Sequence, residues 1–162
     1  MDIRNATATE ASEIAAFVSA IAIEHIACSL CDGGLNKLLG SMNVDATRQL
    51  IAEGWLHMCA FVDGKLAGVV VVKPPIHLYH LFVRSDLHRT GIGKKLLELA
   101  DDWSVNSNGI RLATVNSSLN AVHVDKRLGF STHGPVIDID GVRHQPMVRQ
   151  KHGLTKGCPP ST

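Results

Sequence analysis

The sequence has little cysteine: Cys28, Cys31, Cys59 and Cys158 are too few and too scattered among 162 residues for a disulfide framework. It lacks a charge imbalance, and a net charge of +1 gives no case for a nucleic-acid or membrane surface. No apolar run approaches the length of a membrane-spanning helix, and the first residues lack the basic-then-apolar layout of a signal peptide. A cytoplasmic location is therefore expected. There is no internal repeat and no linker-like stretch. With 45% hydrophobic and 19% charged residues, what remains is one domain over residues 1–150 with enough chain for a sizeable core. Residues 151–162 show no periodicity and are expected to form a flexible tail.

The order of elements follows from periodicity and turn chemistry. A short strand at Ile3–Ala6 leads to a capping box, Thr7-x-x-Glu10, and then to a helix with Ile14, Phe17, Val18 and Ile21 inward, running to about Cys28. Asp32-Gly33-Gly34 reads as the loop that ends it, and Val44–Glu53 as a second helix stopped by Gly54. Leu56–Phe61 and Leu66–Lys73 flank Asp63-Gly64, a hairpin signal, and Ile76–Val83 makes a third strand. A helix from Gly93 to about Asn106 and a strand at Ile110–Val115 form a crossover, which implies two parallel neighbours and hence a mixed sheet. Ser131–Ile139 and Val142–Val148 around Asp140-Gly141 read as a last hairpin. His25-x-x-Cys28-x-x-Cys31 has zinc-like spacing but no matching second pair, so no metal is expected.

The rest of the chain is organised around residues 78–97. An apolar strand passes through a polar turn into a helix whose apolar face is Ile92, Leu96, Leu97 and Ala100. Gly91 and Gly93 open that helix, and its leading N–H groups, with Arg89, Lys94 and Lys95 nearby, suit an anion. The spacing is not that of a P-loop, and Leu96 stands where a dinucleotide fingerprint needs a third small residue. An ordinary tight strand-to-helix connection has the same glycine pattern.

A second motif decides between those readings. Residues 78–97 resemble motif A of the GCN5-related N-acetyltransferases (the GNAT family), an apolar strand followed by Arg/Gln-x-x-Gly-x-Gly/Ala and an amphipathic helix, with His88 in the Arg/Gln place. Residues 115–130, a strand end, a Ser/Asn helix N-cap, a helix and Gly129-Phe130, resemble motif B of the same family. The resemblance implies a mostly antiparallel α+β sheet flanked by about four helices, with one parallel strand pair splayed apart. It implies that acetyl-CoA is the acetyl donor, its pyrophosphate held by the turn His88, Arg89, Thr90, Gly91, Ile92, Gly93 and Lys94. Its pantetheine arm would bond to the main chain of Leu81, Phe82 and Val83 and lie near Ser118, which stands at the family's asparagine.

The family's tyrosine, which protonates the departing thiolate, is replaced here by Asp125, a group ionised at its ordinary pKa of about 4. Tyr79, read as sharing a strand face with His77, Leu81 and Val83, could supply the missing phenol. The base that relatives draw from a glutamate falls at His77, which is equally readable as a structural histidine; His80, read as facing the other way, is the weaker candidate. A backbone N–H of Phe82 or Val83 would polarise the thioester carbonyl. Together these imply an acetyl-CoA-dependent N-acetyltransferase in which a primary amine attacks directly in a ternary complex. A catalytically silent acyl-CoA sensor and an acetylating subunit needing a partner protein stay open, as does a homodimer. The acceptor, a small-molecule or protein amine, has no readable code.

Overall fold

The computed structural model describes residues 1–27, 30 and 32–150. Among the described residues eight strands form one sheet: β1 (Asp2–Asn5), β2 (Leu56–Val62), β3 (Lys65–Lys73), β4 (His77–Val83), β5 (Thr114–Ser118), β6 (Ser131–Thr132), β7 (Ile137–Ile139) and β8 (Val142–Val148). Their order is β1-β2-β3-β4-β5-β8-β6, with β7 also paired to β8. Every pairing is antiparallel except that of β4 with β5. The α-helices are α1 (Ala11–His25), α2 (Asp32–Gly40), α3 (Val44–Ala52), α4 (Ile92–Asn108) and α5 (Val122–Arg127). The mixed, mostly antiparallel fold expected from the sequence is the one observed. Among the described residues no helix is long and apolar enough to cross a membrane. The expected tail, 151–162, lies outside them.

Local chemistry explains most boundaries. Glu10 reaches back to accept the Thr7 N–H at 2.9 Å, and α1 follows with Ile14, Val18 and Ala22 buried. Asp63-Gly64 and Asp140-Gly141 both take left-handed φ, as a two-residue turn matched to strand twist requires. Each sheet face then carries its own core. On one, Leu78, Val70, Val72 and Val115 pack with Ile92, Leu96 and Leu97 of α4; on the other, Cys59, Val69 and Val71 pack with Ile14 and Val18 of α1. Gly68 lets α4 sit down on the sheet, because a Cβ there would meet Leu96 Cδ1 at 2.9 Å.

Four expectations are corrected. Asp32-Gly33-Gly34 is not a loop but the first turn of α2, the helix beyond the four foreseen. Gly34 is there for packing: a Cβ on it would lie 2.4 Å from the Gly141 carbonyl oxygen, and Leu38 docks on the α1-side core. The strand placed at Ile110–Val115 runs instead from Thr114 to Ser118, because β8 offers it partners as far as Ser118↔His144. Ser118 consequently ends a strand, and α5 starts from Ala121 without a side-chain cap. The strand read at Ser131–Ile139 is broken around Gly134, which is left-handed, into β6 and β7. Finally, β4 does not alternate evenly: His80 pairs Val71 and Leu78 pairs Val72, leaving Tyr79 as a bulge.

Candidate active site

The parallel ladder between β4 and β5 consists of two registered pairs, His77↔Thr114 and Leu78↔Val115. Beyond them the strands part. On its other side β4 stays paired to β3 as far as Val83↔Gly68, and the Arg84 N–H bonds the Ala67 carbonyl at 2.9 Å. Since such bonds alternate along an antiparallel pair, Phe82 is committed to Val69, whereas Leu81 and Val83 turn their N–H and C=O groups toward the gap. Of the two amides named for carbonyl polarisation, Val83 therefore faces the gap and Phe82 does not.

The turn after β4 shapes one end of this gap. Arg89 and Gly91 are left-handed at φ 64° and 88°, and the Lys95 N–H bonds the Gly91 carbonyl at 3.0 Å. The amides of Ile92, Gly93 and Lys94 lie ahead of that bond, in the leading turn of α4. Ile92 contributes its amide alone, because its side chain is buried in the core. Gly93 stands beside β4: a Cβ on it would make ordinary contact, 3.5 Å, with Val83 Cγ2. The Thr90 hydroxyl donates to the Leu87 carbonyl at 2.6 Å, fixing the turn, and His88 Nε2–H donates to the Val83 carbonyl at 2.9 Å. His88 thereby ties the turn to the strand. Arg89, Lys94 and Lys95 are exposed around it.

The C-terminal end of α1 reaches both sides of the gap. His25 Nε2 is 2.8 Å from Ser85 Oγ, just past β4, and the Asn120 side-chain amide, just past β5, donates to the His25 carbonyl at 2.6 Å. Ser85 in turn donates to Glu24. His25 is thus engaged with Ser85; Cys28 and Cys31, its companions in the zinc-like spacing, lie outside the described residues.

The bulge at Tyr79 decides which side chains meet. Tyr79 and Phe82 pack into the α1-side core, whereas Leu81 and Val83 join the α4-side core with Leu78. His77, Tyr79, Leu81 and Val83 therefore do not share a face, as an unbroken alternation would have it. His80, expected on the opposite side, has its ring 4.2 Å from Tyr79 and 5.2 Å from Phe82, on the α1 side.

On that α1 side, His77 Nδ1 lies 2.8 Å from Thr114 Oγ1. Burial, then the neighbouring Lys73 and His144, hold its pKa below the usual histidine range, so the imidazole is neutral at pH 7. Tyr79 stacks edge-on with Trp55 at 5.0 Å and hydrogen-bonds Ser41, and burial pushes its phenol pKa up, so it stays protonated. Burial, with His57 adding to it, pushes His80 down to about 3, which makes it a poor base. His57 is itself buried, its Nδ1–H donating to the Trp55 carbonyl at 3.1 Å. Trp55, His57, Thr114, Ser41 and His144 were not foreseen; no motif joins them, and each reaches the site by tertiary packing.

Asp125 sits on the other face. The residue is 7% exposed, and its side chain is hydrogen-bonded to Ser117, which alternates with Val115 toward α4. Burial raises its pKa, partly offset by Ser117 and then by His123. Ser118 points the opposite way from Ser117, at the far wall of the gap, paired across to His144. The structure thus brings His77 and Tyr79 to one face and leaves Asp125 behind the sheet.

The sheet is thus mixed and split between β4 and β5, with a glycine-opened helix beside the split. The family description "acetyltransferase (GNAT) domain" matches residues 9–151, and the chain belongs to that family. Its fold is similar to a GCN5-related N-acetyltransferase from Rhodopseudomonas palustris (TM-score 0.73, 21% identity, 91% of this chain and 94% of that one). It is also similar to the PaiA N-acetyltransferase of Thermoplasma acidophilum, solved with coenzyme A (0.70, 15%, 92% and 98%). A ribosomal-protein-alanine N-acetyltransferase from Brucella melitensis is a third such structure (0.63, 17%, 95% and 100%). At these identities the likeness is one of fold. No curated protein matches the chain.

Proposed function

We propose that this protein transfers the acetyl group of acetyl-CoA to a primary amine that attacks directly in a ternary complex. The observation carrying this reading is the two-pair ladder: β4 and β5 part immediately beyond His77 and Leu78, leaving Leu81 and Val83 main chain facing a slot. The residues present fit CoA. The amides of Ile92, Gly93 and Lys94 and the cations Arg89, Lys94 and Lys95 suit its pyrophosphate, with His88 and Thr90 holding the turn. Leu81 and Val83 suit its pantetheine, with Phe82 beside them and Ser118 on the far wall.

Acetyl-CoA supplies the thioester whose C–S bond breaks as the new C–N bond forms. His77, neutral and anchored to Thr114, accepts the proton lost by the attacking nitrogen. His80 is too weakly basic to compete. The Val83 N–H donates to the carbonyl oxygen as charge builds there. Tyr79, still protonated, gives its proton to the sulfur. Asp125, buried with Ser117 behind the sheet, is structural in this scheme. A buried Cys59, its thiol pushed up to about 12, suits no covalent relay.

The test is release of free thiol from acetyl-CoA across a panel of amines, with acetyl-CoA alone as the blank. Amine-dependent release supports the reading. Acetyl-CoA should also raise Tm more than NADH or ATP does, and equal shifts from all three would count against the CoA assignment.

A further inference from the structure

Between α2 and the β7–β8 hairpin lies a cleft of about 200 Å³, lined by Lys37, Leu38, Ser41, Ile139, Val142 and His144. Its inner end adjoins the site. Ser41 hydrogen-bonds Tyr79, and His144 is near enough to bear on the charge of His77. Its walls are hydrocarbon from Leu38, Ile139 and Val142. The cation on its rim, Lys37, is already paired with Asp140. Gly34 packs directly against the Gly141 carbonyl, which joins the helix to the hairpin.

We infer that this cleft holds the non-reacting part of the acceptor, and that the acceptor is a small primary amine with an uncharged aliphatic substituent. The inference rests on the acetyltransfer reading and narrows it. Four features carry it. Continuity with Ser41 and His144 places a substituent in the cleft on the same side of the sheet as His77 and Tyr79. Hydrocarbon walls reward buried methylenes. Among the described residues lining the cleft the one lysine, Lys37, is already paired with Asp140, so a carboxylate on the substrate would have to compete with Asp140 for it. A volume of about 200 Å³ fits a short aliphatic chain rather than a length of polypeptide.

The experiment compares methylamine through n-hexylamine with ω-amino carboxylates of matching length and with a short peptide bearing a free N-terminus. It measures kcat/KM by thiol release and, separately, the Tm of the protein with CoA plus each amine. kcat/KM should rise by about threefold per methylene until the cleft is filled. The carboxylates should run at least about tenfold behind their alkyl counterparts. Ile139→Asp, at a half-exposed position, should flatten the chain-length slope while the CoA-induced Tm shift persists, which shows that the variant folds. Thiol release with a flat slope, or with carboxylates or the peptide preferred, overturns the inference and leaves acetyl transfer standing. Length-dependent stabilisation by amines without thiol release supports the cleft and overturns the catalytic reading. Neither release nor stabilisation overturns both.

Discussion

The two faces of the sheet are built on different principles. The α4 side presents backbone: two left-handed residues, the leading amides of one helix and the main chain of Leu81 and Val83 at the gap. The α1 side presents side chains: His57, His77, Tyr79, His80 and His144, gathered from β2, β4 and β8. Backbone geometry needs a specific local sequence, so one side reads as a motif. A side-chain constellation needs only that distant residues arrive together, so the other does not. Substitutions on the first side should therefore act on cofactor binding and those on the second on chemistry or acceptor choice.

The largest separation should come from Gly93→Glu. A Cβ at Gly93 meets nothing closer than Val83 Cγ2 at 3.5 Å, so the fold accepts a side chain there. A carboxylate among the leading amides should nevertheless abolish the Tm shift given by acetyl-CoA, with activity lost altogether. A retained shift would mean the anion site lies elsewhere.

His77→Ala should lower kcat at pH 7 by about 10²-fold while the acetyl-CoA Tm shift is kept. A pH profile sharpens this. Protonation removes the base, and the His77 pKa is held below 6.5, so kcat at saturating amine should be level above about pH 6.5 and fall on acidification below that. A profile that still climbs through pH 7 to 8 would assign the limb to another group.

Tyr79→Phe should cost about tenfold or more in kcat at saturating acetyl-CoA, against less than about threefold for Asp125→Asn. The order follows from their placement on opposite faces and from the protonated phenol. The reverse order would make Asp125 the acid and move the proton donor to the α4 side.

The smallest effect expected is that of Gly34→Ala. The added methyl collides with backbone at Gly141, not with a side chain that can turn away, and should cost about 1–3 kcal/mol in stability. It should also raise KM for the amine a few-fold with the CoA Tm shift unchanged. A change in CoA binding instead would show that the two faces are coupled through α2.

Much of the fold was legible. Thr7-x-x-Glu10, Asp63-Gly64, Asp140-Gly141 and the apolar stripe Ile92, Leu96, Leu97 each declare an element through local chemistry, and each is found where expected. Gly34 misled because the same residue type serves as a breaker and as a point of close approach, and its partner, Gly141, lies over a hundred residues away. Asn116–Ser118 misled because polar residues that suit a helix cap also fit a strand when β8 supplies hydrogen bonds.

The sequence by itself determined the family resemblance, the strand-turn-helix at residues 78–97 and the identity of the residues around it, because short-range backbone requirements restrict residue type. Only the tertiary structure decided that Tyr79 bulges. That extra residue arises from the register of β4 against β3, which no local pattern encodes, and it reverses the side-chain alternation beyond it. It therefore sends His80 toward Tyr79, turns Leu81 and Val83 away, and leaves His77 and Tyr79 together on the face opposite Asp125.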